Sequence, residues 1–181
     1  MKIGKRKGKD TQQGFTVIEM ALATTTLLVG IMSISAATLR MYQTGRQNHE
    51  KTLAYNAVHA VAERINSASA IAAAEPDSWA ETILDTYGPG GTVGSFFEVE
   101  GLTPQVGAAR VGVIRVITDE TLTDDEIGAV MGMPRDLNGD GDALDTDVSG
   151  DARMLAVLIT ARWRDKGVKA QLKHPLYIMG Y

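Results

Sequence analysis

The sequence predicts an α+β fold in which one long N-terminal helix packs on a small antiparallel β-sheet. Three observations carry this. After Glu19 the next charged residue is Arg40, so positions 20–39 are twenty consecutive uncharged residues, the length of a membrane-spanning helix. An apolar period of three or four residues then continues through Leu53, Ala57, Val61, Ile65 and Ala68, with no proline before Pro76. Beyond Gly88-Pro89-Gly90-Gly91 the pattern changes to short runs rich in Val, Ile, Leu or aromatics, separated by Gly, Asp and Pro clusters.

Residues 1–14 carry Lys2, Lys5, Arg6, Lys7 and Lys9 against Asp10 and read as a basic leader on the cytoplasmic side. Residues 15–39 form the membrane helix. Its small and hydroxylated residues, Thr24, Thr25, Thr26, Gly30, Ser33, Ser35 and Thr38, suit close approach of helices. Arg40 and Arg46 mark the outer end with fewer basic residues than the leader, which orients the C-terminal body away from the cytoplasm. Residues 40–75 continue the helix amphipathically, with Glu50, Lys51, Asn56, Glu63 and Arg64 expected on its polar faces. A helix from Phe15 to about Ala72 would be ~87 Å long, well beyond the ~30 Å hydrocarbon core.

Residues 76–181 form the head. A short helix is expected over 77–87, with Trp79, Ile83 and Leu84 on one face. Strands are expected over 93–100, 109–118, 154–163 and 168–177, the last two joined as a hairpin around Asp165-Lys166-Gly167. In that hairpin Leu155, Val157, Ile159, Ala161 and Trp163 alternate toward the helix. The chain has no cysteine, so thiol chemistry and disulfide staples are excluded. With the leader's five basic residues and one acidic residue set aside, 13 basic and 21 acidic residues remain, a net charge of −8. An acidic body is a poor nucleic-acid partner and a better host for divalent cations.

Gly14 precedes the apolar stretch, whereas an ordinary secretory signal is cut after it. A glycine followed by Phe15-Thr16-Val17-Ile18-Glu19 and an uncharged helix resembles the prepilin class of type IV pilins and type II secretion pseudopilins. The resemblance covers about residues 5–45. It implies a type IV pilin-like fold and cleavage between Gly14 and Phe15 by a prepilin peptidase, which also methylates the new N-terminus. It implies further that Glu19 pairs with a neighbouring subunit's N-terminus during assembly, because two charges costly in lipid offset each other when subunits come into register. The alternative is a pairing of Glu19 with Phe15 inside one chain. Unlike many members of that family, this helix has no proline midway.

The resemblance thus implies a structural subunit, placed first in the bacterial cytoplasmic (inner) membrane and then in a periplasmic or extracellular filament with other pilin or pseudopilin subunits. A small body without cysteines and with a calcium-type loop suits a minor pilin or pseudopilin better than a major pilin. The competing reading is a single-pass anchored, extracytoplasmic calcium-binding interaction module.

The calcium-type loop spans residues 136–147. Asp136, Asn138 and Asp140 take the first, third and fifth places of an EF-hand loop, Gly141 the sixth, where the turn needs positive φ, and Asp147 the twelfth. Asp142 and Asp145 add two more carboxylates. Five carboxylates in one loop repel unless a cation neutralises them. The alternative is an Asp/Gly-rich surface turn without an ion. No flanking helices are evident. His49, His59 and His174 form no constellation, His49-Glu50 lacks the second histidine of a zinc-protease motif, and no phosphate loop or nucleophile elbow is present, so the sequence does not read as an enzyme.

Overall fold

The computed structural model describes residues 16–165 and 168–180. The expected cleavage site, Gly14 and Phe15, lies outside the described residues, as do the rest of the leader and Lys166, Gly167 and Tyr181. The fold is α+β, a long N-terminal helix on a four-stranded antiparallel sheet. The long helix is α1 (Val17–Ala72), and the chain divides into one unit ending at Gly45 and a second beginning at Arg46. In the first unit every described residue is exposed.

In the second unit, α1 buries Glu50, Ala54, Val58, Val61, Ala62, Ile65 and Ser69, one stripe at helical spacing. Leu53, Ala57 and Ala68, which the sequence pattern places at its centre, are only half-buried at its margin. Glu50, expected on a polar face, is in the stripe. Alanine and serine at 54, 62 and 69 let the helix backbone come close to the sheet. After a short turn at Pro76–Ser78, α2 (Trp79–Tyr87) buries Trp79, Ala80, Ile83 and Tyr87.

The sheet is ordered β1 (Phe96–Phe97), β2 (Gly112–Ile117), β3 (Met154–Asp165), β4 (Val168–Met179), with antiparallel neighbours throughout. The first strand is far shorter than the sequence suggests because its flanks are spent on turns. Thr92 N–H donates to the Asp85 carbonyl at 2.8 Å, Val93 and Gly94 N–H to the Thr86 carbonyl at 3.0 and 3.1 Å, and Leu102 N–H to Val99 at 3.1 Å. The hairpin of β3 and β4 is complete, from Met154 opposite Met179 to Asp165 opposite Val168.

Ile159 lies opposite His174, whose ring stands 4.9 Å from that of His59 on α1, so the odd-numbered residues of β3 face the helix. The even-numbered Ala156, Leu158 and Thr160 are buried as well. Their register partners, Tyr177 and Lys173 among them, reach the segment 118–153: the Tyr177 hydroxyl donates to the Met131 carbonyl at 2.6 Å, and the Lys173 ammonium donates to the Gly128 carbonyl. That segment includes α3 (Asp124–Ile127) and covers the second face of the sheet, so β3 is buried on both sides.

Candidate functional site

The start of α1 is fixed by Thr16 and Glu19. Glu19 Oε2 accepts from the Thr16 N–H and hydroxyl, both at 2.9 Å, and the Thr16 hydroxyl accepts from Glu19 N–H at 3.3 Å. This reciprocal capping arrangement satisfies two N–H groups that a helix start leaves bare. The partner of Glu19 within the described residues is therefore Thr16. Either pairing with the amine of Phe15 lies outside them. The signal was available, since Thr-x-x-Glu is a capping box, and Thr123 with Glu126 repeats it at α3.

Between Val17 and Tyr42, thirteen large apolar side chains, from Val17 to Tyr42 itself, are exposed. Soluble monomers rarely expose so continuous an apolar surface; such surfaces mark sites of membrane or protein contact. The helix is long and apolar enough to cross a membrane. Its hydroxyls are satisfied internally. Thr24, Thr25, Thr26, Ser33, Ser35 and Thr38 each donate to a carbonyl four residues back, at 2.8–3.0 Å. Each of these hydroxyl protons is therefore paired within the helix itself.

The acidic loop is drawn together differently from a linear EF-hand order. Asp136 accepts from the N–H groups of Gly139 and Gly141, and Gly141 has the positive φ expected of it, 107°. Asp140, Asp142 and Asp147 each turn to the N–H two residues on, those of Asp142, Leu144 and Ser149, at 3.0 Å. The bond from Ser149 holds the Asp147 carboxyl below the usual carboxylate range. These are the side-chain-to-backbone bonds of Asp-rich turns.

Asn138 behaves otherwise. It is buried, and its Nδ2 donates to Asp145 Oδ2 at 3.1 Å and to Asp151 Oδ2 at 3.5 Å, while its Oδ1 accepts from Asp140 N–H. Beneath it lies Glu120, 0% exposed, whose Oε1 accepts from the N–H groups of Leu137 and Asn138. Glu120 Oε2 is buried and has no hydrogen-bond partner. The loop thus brings Asn138, Asp145, Asp151 and Glu120 to one place and leaves Asp136, Asp140, Asp142 and Asp147 on backbone N–H groups.

No family model, curated protein or solved structure matches the chain.

Sequence spacing missed Glu120 and Asp151. Glu120 lies sixteen positions before Asp136, just after β2, and only the folded chain shows it under the loop. Among the described residues no three His, Cys, Asp or Glu side chains form a group that could hold a metal ion. The His59 and His174 rings meet at a tilt of 52° between helix and sheet, with the Tyr55 ring centroid 4.1 Å from that of His59. Burial, and then the neighbouring His59, push the His174 pKa down.

Proposed function

We propose that the chain is a pilin-like structural subunit rather than an enzyme. It is made in the bacterial cytoplasmic membrane with its N-terminus inside, cut by a prepilin peptidase after Gly14 and methylated on Phe15. It then joins other pilin or pseudopilin subunits in a type IV pilus or type II secretion-like filament, as a minor pilin or pseudopilin. The observation that supports this most is the wholly exposed, uncharged helix surface that begins directly after Glu19. Lipid covers that surface first and neighbouring helices later. Glu19, at its head, supplies the one negative charge that a neighbour's N-terminal amine can neutralise. Intact-mass measurement of the membrane-extracted protein tests the reading: the mature chain should lack residues 1–14 and carry one added methyl, and a chain still beginning at Met1 would overturn it.

One observation favours the competing reading of a single-pass anchor for an outer module: the Glu19 carboxylate is already engaged by Thr16. Glu19→Gln separates the two. The amide keeps an oxygen for the Thr16 N–H, so the helix start survives and only the charge is lost. A filament subunit should then insert normally and fail to enter filaments; an anchored module should keep both its localisation and its function.

A further inference from the structure

We propose that the end of the hairpin where β3 passes to β4 docks on an anionic phospholipid surface, through Arg162, Arg164 and Lys169 around the exposed side chains of Val106 and Val168. The inference rests on the reading that α1 crosses a membrane and adds a second point of contact with that membrane.

The first support is the arrangement of charge. The even-numbered side chains of β3 point away from α1, and their burial ends at Thr160, so Arg162 and Arg164 are exposed. Register sets Lys169, also exposed, directly opposite Arg164 and diagonally beside Arg162, whose own partner is Gln171. Like charges opposed across two strands weaken a hairpin. Among the described residues the ion pairs are Arg46–Glu50 and Arg110–Glu98, so none of these three cations has a carboxylate partner. Of the acids at this end of the head, Glu50 is held by Arg46, Glu98 by Arg110, and Asp165 is buried on the side facing the helix, which leaves Glu100. Headgroup phosphates of an anionic bilayer supply the missing counter-charge.

The second support is where this end lies. α1 and β4 run past each other in opposite directions: Ser69 bonds to Met179, the His59 ring meets that of His174, and Lys51, Thr52 and Tyr55 line one cavity with Trp163, Ala170 and Gln171. In that order Asp165 and Val168 come beside the first residues of the second unit, and the charge of Asp165 reaches Arg46. Tyr42, the last exposed apolar side chain of the N-terminal run, stands four residues before Arg46. Four residues of chain span at most ~14 Å whatever their conformation, so the three cations are held close to the headgroups around the exit of α1.

Two exposed apolar side chains complete the surface. Val168, 68% exposed, begins β4, and Val106 is 82% exposed. The segment carrying Val106 is tied to the same end, since Gln105 Nε2 donates to the Ala170 carbonyl and Arg164 N–H to the Thr103 carbonyl, both at 2.9 Å. A small apolar tip ringed by cations matches the headgroup boundary of a bilayer, where apolar atoms enter and charged groups stay with phosphate. A nucleic acid, the other common polyanion, gives exposed valines no such place. The acidic loop lies at the opposite end of β3, where Met154 N–H donates to the Leu137 carbonyl, and the twelve residues of that strand span ~36 Å. An anionic surface therefore attracts one end of the head and repels the other.

The test uses the full chain in lipid nanodiscs. Because the chain has no cysteine, Val106→Cys takes a single polarity-sensitive fluorophore. In phosphatidylcholine discs with about 30% phosphatidylglycerol, nitroxides on the lipid headgroups should quench it at least about twofold more than in phosphatidylcholine alone. About 0.5 M sodium chloride should remove the difference. Each cation is worth roughly fivefold in the ratio of docked to undocked heads, so Arg164→Gln with Lys169→Gln should abolish the difference and either alone should reduce it. Both residues are exposed and oppose each other, so the double variant should keep or exceed the parent's thermal midpoint. Arg153→Gln, at the far end of β3, should quench as the parent does. The proposal is overturned by equal quenching in the two lipids, or by a difference that survives the salt or the double substitution. With equal quenching, a label response to a short DNA duplex would name nucleic acid as the partner instead. A chain that does not enter the discs overturns the membrane reading as well, whereas one that enters and is quenched equally overturns the docking alone.

Discussion

Ser69→Ala isolates the junction of α1, α2 and the end of β4. The Ser69 hydroxyl donates to the Met179 carbonyl at 3.2 Å and accepts from the Trp79 indole N–H at 3.1 Å. Both side chains are buried, Trp79 completely. Alanine therefore leaves an indole N–H in the interior without its acceptor, which costs about 1–3 kcal/mol, and removes a second bond worth about 0.5–1.5 kcal/mol. The expected loss is about 2–3 kcal/mol, or a drop of roughly 6–12 °C in thermal midpoint for a unit of this size. Circular dichroism of the detergent-solubilised chain measures it. Trp79→Phe supplies the control, since phenylalanine has no N–H to strand. In that background Ser69→Ala should cost only the bond to Met179, about a third as much. An equal cost in both backgrounds, or a shift under 2 °C in the parent, would refute the reasoning.

Three further outcomes follow from the same packing. The Asp124 carboxylate accepts from Met131, Gly132 and Met133 N–H at 2.9–3.0 Å, and these bonds, Met133's first, hold its pKa below the ordinary value. That stabilisation is present above the unfolded pKa of ~3.9 and lost as pH falls through the folded one, so Asp124→Asn should lower the urea midpoint at pH 7 and flatten its decline in acid. His174, with its pKa pushed down, takes up its proton later than the unfolded chain does, so stability should fall as pH drops below ~6.5. His174→Gln should flatten the thermal midpoint between pH 5 and 6.5. Gly112→Ala would set a methyl 2.4 Å from ring carbons of Phe97 and should cost about 1–3 kcal/mol in urea unfolding, a loss that Phe97→Ala in the same chain should partly restore.

The long helix, the late hairpin and the antiparallel sheet were legible because each rests on a strong local signal: an uninterrupted apolar run, a switch of period at a Gly-Pro-Gly-Gly break, and Asp-Lys-Gly between two β-rich stretches. The phase of α1 was not. Alanines and valines crowd both sides of its inner half, so the pattern could not tell the half-buried Leu53 and Ala57 from the buried Ala54 and Val58, and Glu50 gave no sign that it would be covered. The second buried face of β3 was also hidden, since Ala156, Leu158 and Thr160 are covered by a segment that reads as polar loop. At the candidate site the loop residues stood out by composition, whereas Glu120 is one acid among many until tertiary folding sets it beneath Asn138. Thr16 was visible as half of a capping box, but the charge of Glu19 drew the reading toward longer-range partners.

The hydroxyls of α1 carry a consequence of their own. Because the six side chains from Thr24 to Thr38 close their bonds on the helix that bears them, the segment's polar inventory is complete before it meets any neighbour. Exchanging one apolar surrounding for another then breaks no hydrogen bond and forms none. The difference in free energy between two such settings reduces to packing and to the fate of a single carboxylate, so a helix of this kind moves between them at the cost of shape and one charge.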